Sequence, residues 1–292
     1  MTESKHFIKT GITAVPFVGW GTHICHFFKN KQELCDIIVP YIKTGLLGNE
    51  KCIWITSDPI RSNQAISELA HEVTGIDDYI SSGQLLVVGY NDWYTELGEF
   101  SIDGVLRSWT EAEKKALDEG YKGLRAVGIM SWVQRENWNN IVCYEAKVDS
   151  VIRKNKMLAL CCYSLSNLEA PELIEMVSNH AMVIISHKVG LMAIGNSRQA
   201  KIYLMRAQNL SYDAIGSSIG ISRQRVHKII NPRKKPRVEK RDMLTSSEAA
   251  SILNIHVNTL RRWGDLGVLP VYRIGSRGDR RFKRSDIHHL IN

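Results

Sequence analysis

The sequence lacks the features that mark membrane and secreted proteins. It contains no run of about 18 apolar residues, the length that a membrane-spanning helix requires. Its beginning, MTESKHFIKTG, does not show the charged and then apolar pattern of a secretion signal. The six cysteines are scattered over 292 residues, which is not the spacing of a disulfide framework. We therefore expect a cytoplasmic protein in a reducing compartment, without membrane contact.

Motifs for common catalytic mechanisms are also absent from the sequence. There is no phosphate loop of the form G-x-x-x-x-G-K-[ST], no dinucleotide fingerprint, no Ser-His-Asp set and no pair of carboxylates in a defined motif. Where a phosphate loop would join the first strand to the first helix, the connection FFKNKQEL has no glycine between Lys29 and Glu33. We therefore predict that the protein is not an enzyme and uses no cofactor.

The charge of the chain is divided unevenly between its two parts. Residues 197–292 contain 20 Lys and Arg against 7 Asp and Glu, a net charge of +13, whereas residues 1–196 contain 18 against 23, a net charge of −5. Such a small basic region is typical of polyanion binders, because each neutralised phosphate releases condensed counterions. We predict double-stranded DNA as its partner; a merely solvated basic surface is the alternative.

Residues 243–292 show the pattern of a winged helix-turn-helix. Thr245 or Ser246 caps a first helix that has Glu248 in its first turn. A second helix follows, with Val257, Leu260 and Trp263 on one apolar face, and VYRIGSRGDRRF predicts two strands around a turn, which form a wing. The polar front of the helix would contact base edges and the wing would contact phosphates or the minor groove. The predicted DNA-contacting residues are Asn258, Thr259, Arg261, Arg262, Arg273, Arg277, Arg280 and Arg281.

Three stretches of this region resemble a known family. SSEAASIL, VNTLRRWGDLGVLP and GDRRFKRSDI are similar, in order and spacing, to the winged helix-turn-helix of MerR-type regulators and phage excisionases. Because excisionases share this wing, an architectural or recombination factor is an alternative to a regulator.

A second helix-turn-helix is predicted at residues 197–232. The stretch LSYDAIGSSIGISRQRVHKII resembles the simple helix-turn-helix of many bacterial and archaeal regulators, although Gly216 stands where that pattern usually has Ala. Gly220 is expected at the turn and Ser222 at the cap of the next helix; a helical hairpin with a solvated face is the alternative. The predicted core positions are Ile215, Ile219, Ile221, Val226 and Ile229, and the predicted DNA-contacting residues are Arg223, Gln224, Arg225, His227 and Lys228.

Between the two predicted DNA-binding units, residues 233–242 are predicted to be an exposed basic linker.

From Thr22 to Ser186 short apolar runs alternate with amphipathic helical stretches. The runs HICHFF, KCIWIT, QLLVVG, LRAVGIM, MLALCCYS and MVIIS predict buried strands; KQELCDIIVPYIKTGL, SNQAISELAHEV and DGVLRSWTEAEKKALDEG predict helices. This order predicts an α/β fold, a mostly parallel sheet flanked by helices, with ligands beyond the carboxyl ends of the strands. The order also resembles RecA- and KaiC-like ATPases without their phosphate loop, so a nucleotide-binding module is a further alternative.

The same region resembles the MEDS domain, the sensory domain of DcmR-type regulators from methylotrophs and methanogens. The resemblance lies in HICHFF, GLLGNEKCIWIT, GQLLVV, GYKGLRAVGIMSW, YEAKVD and LCCYSLSNLEAPELIEMVSNHAMVII. It implies a degenerate RecA-like sensor of small hydrocarbon or one-carbon derivatives at residues 20–196, with residues 1–19 as an N-terminal extension. We therefore expect a ligand-responsive transcription regulator, and by analogy a homodimer.

The candidate effector-sensing residues lie on or near the predicted strands. Strand alternation sends His23 and Cys25 to one face, and the predicted topology places Cys161 nearby. Imidazole with thiolate suits Zn, Fe or Co, and a thiol of lowered pKa would sense an electrophile, but buried cysteine is commonly a small core residue. We therefore predict core cysteines and no metal, with metal or covalent sensing as the alternative. Five candidates are expected at or just beyond strand ends, and Cys25 and Cys161 are expected on strands. The full candidate set is His23, Cys25, Arg125, Trp132, Tyr144, Glu145 and Cys161.

Overall fold

The computed structural model describes residues 7–95, 100–133, 135–187, 190–195, 198–207, 209–231, 242–253, 255–275, 278–288 and 290. We divide them into an α/β domain (residues 7–195), a three-helix unit (198–231) and a winged unit (242–290). Residues 233–241 of the predicted basic linker and the predicted DNA contact Arg277 lie outside the described residues. Within the described part of the chain, every helix is too short or too polar to cross a membrane.

The α/β domain contains nine strands and seven α-helices. The strands are β1 (Phe7–Ile12), β2 (Val15–Gly19), β3 (Thr22–Phe28), β4 (Lys51–Thr56), β5 (Leu85–Gly89), β6 (Leu124–Ile129), β7 (Met157–Ser164), β8 (Met182–His187) and β9 (Gly190–Gly195). The helices are α1 (Lys31–Leu47), α2 (Ser62–Ala70), α3 (Ile76–Ser81), α4 (Tyr90–Tyr94), α5 (Ile102–Asp118), α6 (Trp138–Ile152) and α7 (Ala170–Asn179).

Seven of the strands form one sheet in the order β5-β4-β6-β7-β3-β8-β9. The first six strands in this order run parallel to one another. The seventh strand, β9, pairs antiparallel with β8 at the edge of the sheet. The six parallel strands are the six predicted apolar runs, so the predicted mostly parallel α/β fold is confirmed. Their near-continuous apolar composition follows from burial on both faces of the sheet.

A hydrophobic core lies on each face of the sheet. Residues of β3 alternate between the two cores: Ile24 and Phe28 pack with α1, α2 and α3, whereas Cys25 and Phe27 pack with α5, α6 and α7. We call these the α1 face and the α6 face. The antiparallel hairpin β1–β2 packs its residues Ile12 and Val15 into the α1-face core. The segment expected to be an N-terminal extension therefore contributes to the domain from residue 7 onwards.

The three-helix unit consists of α8 (Arg198–Ala207), α9 (Tyr212–Ile219) and α10 (Arg223–Ile230). Gly220 has a φ of 69°, which makes the left-handed turn between α9 and α10, and Ser222 caps α10 by accepting a hydrogen bond from the Arg225 amide. A Cβ atom at Gly216 would lie 2.5 Å from the Ile221 carbonyl oxygen, which explains the glycine at that position. The buried core consists of Ile202, Met205, Ile215, Val226 and Ile230, with Ile219, Ile221 and Ile229 partly buried around it.

The winged unit contains β10 (Met243–Thr245), α11 (Ser246–Ile252), α12 (Val257–Asp265), β11 (Tyr272–Ile274), β12 (Asp279–Lys283) and α13 (Arg284–His288). Its strands form an antiparallel sheet in the order β10-β12-β11. Thr245 and Glu248 form the predicted capping box at the start of α11. Leu260, Trp263 and Phe282 are fully buried in its core.

Candidate functional site

Four polar side chains meet in the core of the α6 face. They are His23 on β3, Glu145 on α6, Cys161 on β7 and His180, which follows the last residue of α7. All four are buried, and one ligand-type atom of each lies within 4.8 Å of the others. We call these four residues the buried polar cluster. Burial of so many polar groups in one place is unusual, because each loses its water.

The distances within the buried polar cluster are short and similar. His23 Nε2 lies 3.2 Å from Cys161 Sγ and 3.4 Å from Glu145 Oε2. His180 Nε2 lies 3.3 Å from the same Glu145 oxygen, and the two imidazole rings have their centroids 4.0 Å apart. Glu145 Oε2 is therefore central to the cluster.

The fold brings these residues together through strand register and helix periodicity. The parallel pairing of β3 with β7 sets Cys25 beside Cys161, so His23 and Cys161 share one face two residues apart in register. The Ala181 amide donates to the His23 carbonyl oxygen, which places His180 beside β3. On α6, Glu145 lies between Tyr144 and Val148 on the buried stripe of the helix.

Burial shifts the protonation equilibria of the cluster. It raises the pKa of Glu145, although the charge of His23 and the hydrogen bond from Tyr163 oppose this rise. It lowers the pKa of His180 well below its ordinary value, and the neighbouring His23 adds to that effect. It also raises the pKa of the Cys161 thiol, together with the charge of Glu145. Each shift disfavours the charged form in the dry interior.

A second layer of contacts orients the cluster. His180 Nδ1 lies 2.7 Å from the Met176 carbonyl oxygen, and the Tyr163 hydroxyl donates to Glu145 Oε1. His23 Nδ1 faces Asp149 Oδ1 at 3.5 Å. Among the described residues, His23 Nδ1, Asp149 Oδ1, Glu145 Oε2 and His180 Nε2 have no hydrogen-bond partner of ordinary geometry. Within the cluster, the unsatisfied oxygen Glu145 Oε2 therefore faces the unsatisfied ring nitrogen His180 Nε2.

A small, mostly apolar cavity borders the cluster. His23 and Cys161 contribute to its wall, and the Trp109 indole donates a hydrogen bond of 2.9 Å to the Tyr144 hydroxyl at its edge. Beyond it, the Trp132 ring stacks on Tyr94 with centroids 5.1 Å apart. The residues around the cavity are His23, Tyr94, Trp109, Ala126, Gly128, Tyr144, Val148, Ile152, Met157, Ala159, Leu160 and Cys161.

Most of the predicted sensing residues therefore lie on one face, but the positions of Tyr144, Glu145 and Arg125 differ from expectation. Tyr144 and Glu145 were expected at strand ends, and they lie inside α6, because that helix turns them toward the sheet. Trp132 does follow the carboxyl end of β6, and Cys25 lies on the α6 face beside Cys161. His180 was not predicted as a site residue. The feature of the sequence that could have indicated it is its position two residues before the buried run MVIIS.

Arg125 does not belong with the other candidates. It lies in the amino half of β6 and its side chain enters the α1 face, where it forms an ion pair with Glu50. Its guanidinium also donates to the carbonyl oxygens of Lys9, Thr10 and Tyr41. All five guanidinium N–H groups are thereby used, so Arg125 fastens the hairpin β1–β2 to the sheet.

The start of α1 is occupied by its own side chains. Asn30 caps the helix by accepting a hydrogen bond from the Glu33 amide, and Glu33 Oε2 accepts one from the Lys29 amide. A phosphate at this position would compete with a carboxylate for the same N–H groups and be repelled by its charge. The geometry therefore agrees with the missing phosphate-loop motif.

The basic side chains of α10 form an exposed surface. Arg223, Gln224, Arg225, His227 and Lys228 are all exposed, while Val226 and Ile230 bury the opposite side of the helix. All five predicted contact residues are therefore accessible to a polyanion.

On α12, Asn258, Arg261 and Arg262 are exposed, but Thr259 is only 4% exposed. Thr259 precedes the buried Trp263 by one helical turn, so the apolar stripe of α12 is wider than predicted and Thr259 does not face outward. Arg261 Nη1 lies 3.4 Å from Asn258 Oδ1 on the exposed face. The exposed front of α12 is thus smaller and more strongly cationic than the sequence suggested.

The wing arginines divide into two kinds. Arg273 is exposed, whereas Arg280 and Arg281 are half-buried. Arg280 binds Asp265 at 2.7 Å and donates to the Arg261 carbonyl oxygen at 3.2 Å, so it connects the wing to α12.

An open polar groove runs between the wing, α12 and the start of α11. Its walls are formed by Thr245, Ser246, Ser247, Arg261, Gly278, Asp279, Arg280 and Arg281.

The fold and the basic surfaces define an α/β domain joined to two small units, each with an exposed cationic helix. Residues 22–181 match the family described as MEDS, MEthanogen/methylotroph, DcmR Sensory domain, and the chain belongs to that family. Residues 243–292 match the family described as Helix-turn-helix domain.

Individual relatives are similar over smaller or more distant ranges. The transcriptional repressor DcmR of Methylorubrum extorquens is 43% identical over 51 residues, which cover 18% of this chain and 19% of the repressor. The KaiC-like protein PH0186 of Pyrococcus horikoshii is 15% identical with a TM-score of 0.47, over 64% of this chain and 86% of that chain. The flagellar accessory protein FlaH of Methanocaldococcus jannaschii is 10% identical with a TM-score of 0.39, over 61% and 78%.

Proposed function

We propose that this protein is a ligand-responsive, DNA-binding transcription regulator. In this proposal the α/β domain binds a small effector, and the three-helix and winged units bind double-stranded DNA. The observation that carries the proposal is the combination, in one chain, of a MEDS sensory domain with a matched helix-turn-helix domain whose helix α12 exposes Arg261 and Arg262.

The DNA-binding part of the proposal rests on two exposed cationic helices. The winged unit would insert α12 into the major groove, where Arg261 and Asn258 reach base edges, while Arg273 on the wing contacts phosphate. This arrangement corresponds to the MerR-like interpretation of the sequence. The three-helix unit would present α10 in the same way, with Arg223 and Arg225 at the start of the helix.

The coupling part of the proposal rests on contacts between the α/β domain and the three-helix unit. Ala170 and Ile174 on α7 pack against the core of the three-helix unit. In the other direction, Tyr203 on α8 is buried in the α6-face core. Because α7 ends next to His180, a change at the buried polar cluster would be transmitted along α7 to the DNA-binding helices. An effector can change DNA affinity only to the extent that it binds the DNA-competent and the DNA-incompetent arrangement of the protein with different affinities.

The effector part of the proposal rests on the cavity beside the cluster. Its wall is mostly apolar, with Tyr94, Trp109 and Tyr144 near the polar cluster. The apolar wall suits a hydrocarbon or one-carbon derivative, but the cavity volume of about 10 Å³ is that of one water molecule, so an effector would have to displace side chains to enter. We assign the domain a binding role rather than catalysis, because Asn30 and Glu33 occupy the place where RecA-like enzymes hold phosphate.

We further propose that the regulator works as a cytoplasmic homodimer. Two copies would match two DNA half-sites, which is the usual arrangement for helix-turn-helix regulators. Each copy would contribute one sensory domain, so that effector binding alters the spacing of the DNA-binding units.

The test is to select DNA sequences bound by the full-length protein from a random pool and to measure affinity with and without small one-carbon and hydrocarbon compounds. We expect an enriched, two-fold symmetric sequence and an affinity that at least one compound changes. Equal affinity for selected and random DNA would contradict the proposal. DNA bending that no compound alters would favour the excisionase-like alternative, and ATP turnover above background would favour the nucleotide-binding one.

A further inference from the structure

We infer that His23, Glu145, Cys161 and His180 bind a divalent transition-metal ion of the Zn²⁺ type. Two imidazoles, a thiolate and a carboxylate are the ligands that proteins use for zinc, iron and cobalt. The inference does not depend on DNA binding, because it concerns only the core of the α/β domain.

The distances around Glu145 Oε2 are those of a tetrahedral site. Bonds of about 2.0–2.1 Å to nitrogen or oxygen and about 2.3 Å to sulfur put tetrahedral ligand atoms about 3.3–3.6 Å apart. The three closest pairs around Glu145 Oε2 and His23 Nε2 are 3.2, 3.3 and 3.4 Å apart. The two contacts of Glu145 Oε2 are longer than an N–H···O hydrogen bond of about 2.9–3.0 Å, whereas the 3.2 Å between His23 Nε2 and Cys161 Sγ also suits a hydrogen bond to sulfur. The remaining pairs, up to 4.8 Å apart, would close by side-chain rotation.

The second layer of contacts fixes the ring nitrogens that a metal requires. His180 Nδ1 donates its proton to the Met176 carbonyl oxygen at 2.7 Å, so the lone pair of Nε2 points toward Glu145 Oε2. His23 Nδ1 faces the Asp149 carboxylate at 3.5 Å without an ordinary hydrogen bond, and a metal ion would select the tautomer whose Nε2 lone pair points toward Cys161. A carboxylate or carbonyl behind each histidine is the usual support of a metal ligand.

Unsatisfied atoms point into the cluster. Glu145 Oε2 and His180 Nε2 are buried without an ordinary hydrogen-bond partner among the described residues. A buried orphan acceptor normally destabilises a fold by about 1–3 kcal/mol. A divalent ion would satisfy both atoms at once, and the charges of the Glu145 carboxylate and the Cys161 thiolate would neutralise it. Four protein ligands would close the coordination sphere, as in structural zinc sites.

The experiment uses full-length protein stripped of metal by a chelator and then titrated with Co²⁺. A tetrahedral thiolate site gives visible d–d bands and a near-ultraviolet sulfur-to-cobalt charge-transfer band. We expect one equivalent of Co²⁺ to produce both bands and one equivalent of Zn²⁺ to bleach them. Cys161→Ser should remove the charge-transfer band, and His180→Gln should weaken Co²⁺ binding at least about 100-fold, beyond the effect of losing an outer-layer partner.

Cys162→Ser is the matched control, because Cys162 is the next residue of β7, equally buried, and faces the α1-face core. It should keep both bands. Elemental analysis of the wild-type protein after growth with zinc needs no variant and should find one zinc per chain. The inference is overturned if the wild-type protein shows neither stoichiometric zinc nor cobalt bands, or if Cys161→Ser keeps the charge-transfer band. If Cys161→Ser fails to fold by circular dichroism, Glu145→Gln is tested for loss of Co²⁺ affinity.

Discussion

The Tyr203 hydroxyl donates a hydrogen bond of 2.9 Å to the carbonyl oxygen of Ile229. The ring of Tyr203 is buried in the α6-face core, whereas Ile229 lies in the last turn of α10. One side chain therefore joins the core that contains the buried polar cluster to a helix that carries five exposed DNA-contact candidates. A shift of the α6-face core would move α10 through this contact.

Tyr203→Phe should loosen α10 without unfolding the α/β domain. Loss of one neutral hydrogen bond lowers stability by about 0.5–1.5 kcal/mol, and the loss would fall on the three-helix unit. We expect faster amide hydrogen exchange in α10 and unchanged exchange in β3 and β7. The matched control is Tyr272→Phe, which removes a hydroxyl near Asp286 in the winged unit. Equal exchange in α10 for wild type and Tyr203→Phe would refute the coupling.

Arg125→Ala should destabilise the α/β domain strongly. The change leaves the Glu50 carboxylate and the carbonyl groups of Thr10 and Tyr41 buried without their partner, and it removes the partly buried hydrogen bond to the Lys9 carbonyl group. Breaking a buried ion pair in this way lowers the free energy of unfolding by about 3–5 kcal/mol. Urea denaturation provides the measurement. Lys114→Ala, which removes an exposed ion pair with Asp118, serves as the control and should lower stability far less, because exposed ion pairs contribute little. Similar losses for both variants would contradict the role assigned to Arg125.

The fold was largely predictable because its signals are local. Each of the six parallel strands is a run of consecutive apolar residues, and the capping pair Thr245 and Glu248 lies three residues apart. The polar cluster was only partly predictable, because His180 and Glu145 approach His23 through the packing of α6 and α7 and not through strand order. The position of Arg125 was predicted wrongly for a different reason: the sequence predicts the strand on which it lies, but its face and its partner, Glu50, depend on the register of β6 against β4.

Acid should destabilise the protein partly through His26. Burial lowers the pKa of His26 from 6.5 to about 4, although hydrogen bonds to the backbone oppose this. Between these pH values His26 is protonated in the unfolded chain but not in the folded chain. Its protonation therefore has no effect on the free energy of unfolding above pH 6.5 and lowers it as the pH falls toward 4. The loss amounts to about 3 kcal/mol over that interval.

His26→Leu tests this assignment, since leucine cannot take up the proton. Urea midpoints measured from pH 8 to pH 4 should fall less steeply for the variant than for the wild-type protein. Part of the slope should remain, because burial also lowers the pKa of His180. Parallel curves for the two proteins would show that His26 does not contribute to acid sensitivity.

Arg261→Ala should reduce sequence discrimination more than general DNA affinity. Arg261 is exposed on α12, lies beside Asn258 and borders the polar groove, so it is placed to form the two-pronged contact with guanine. We expect a loss of about 1–3 kcal/mol on the selected sequence and a much smaller loss on random DNA, measured by fluorescence anisotropy at several salt concentrations. Thr259→Val is the control on the same helix and should leave discrimination unchanged, because Thr259 is buried.

Lys234→Ala, in the linker outside the described residues, should instead weaken binding to every DNA sequence alike and reduce the salt dependence of binding. If Arg261→Ala weakens binding to selected and random DNA equally, as is expected of Lys234→Ala, Arg261 contacts phosphate and the base-reading role passes to another exposed residue of α12 or to α10.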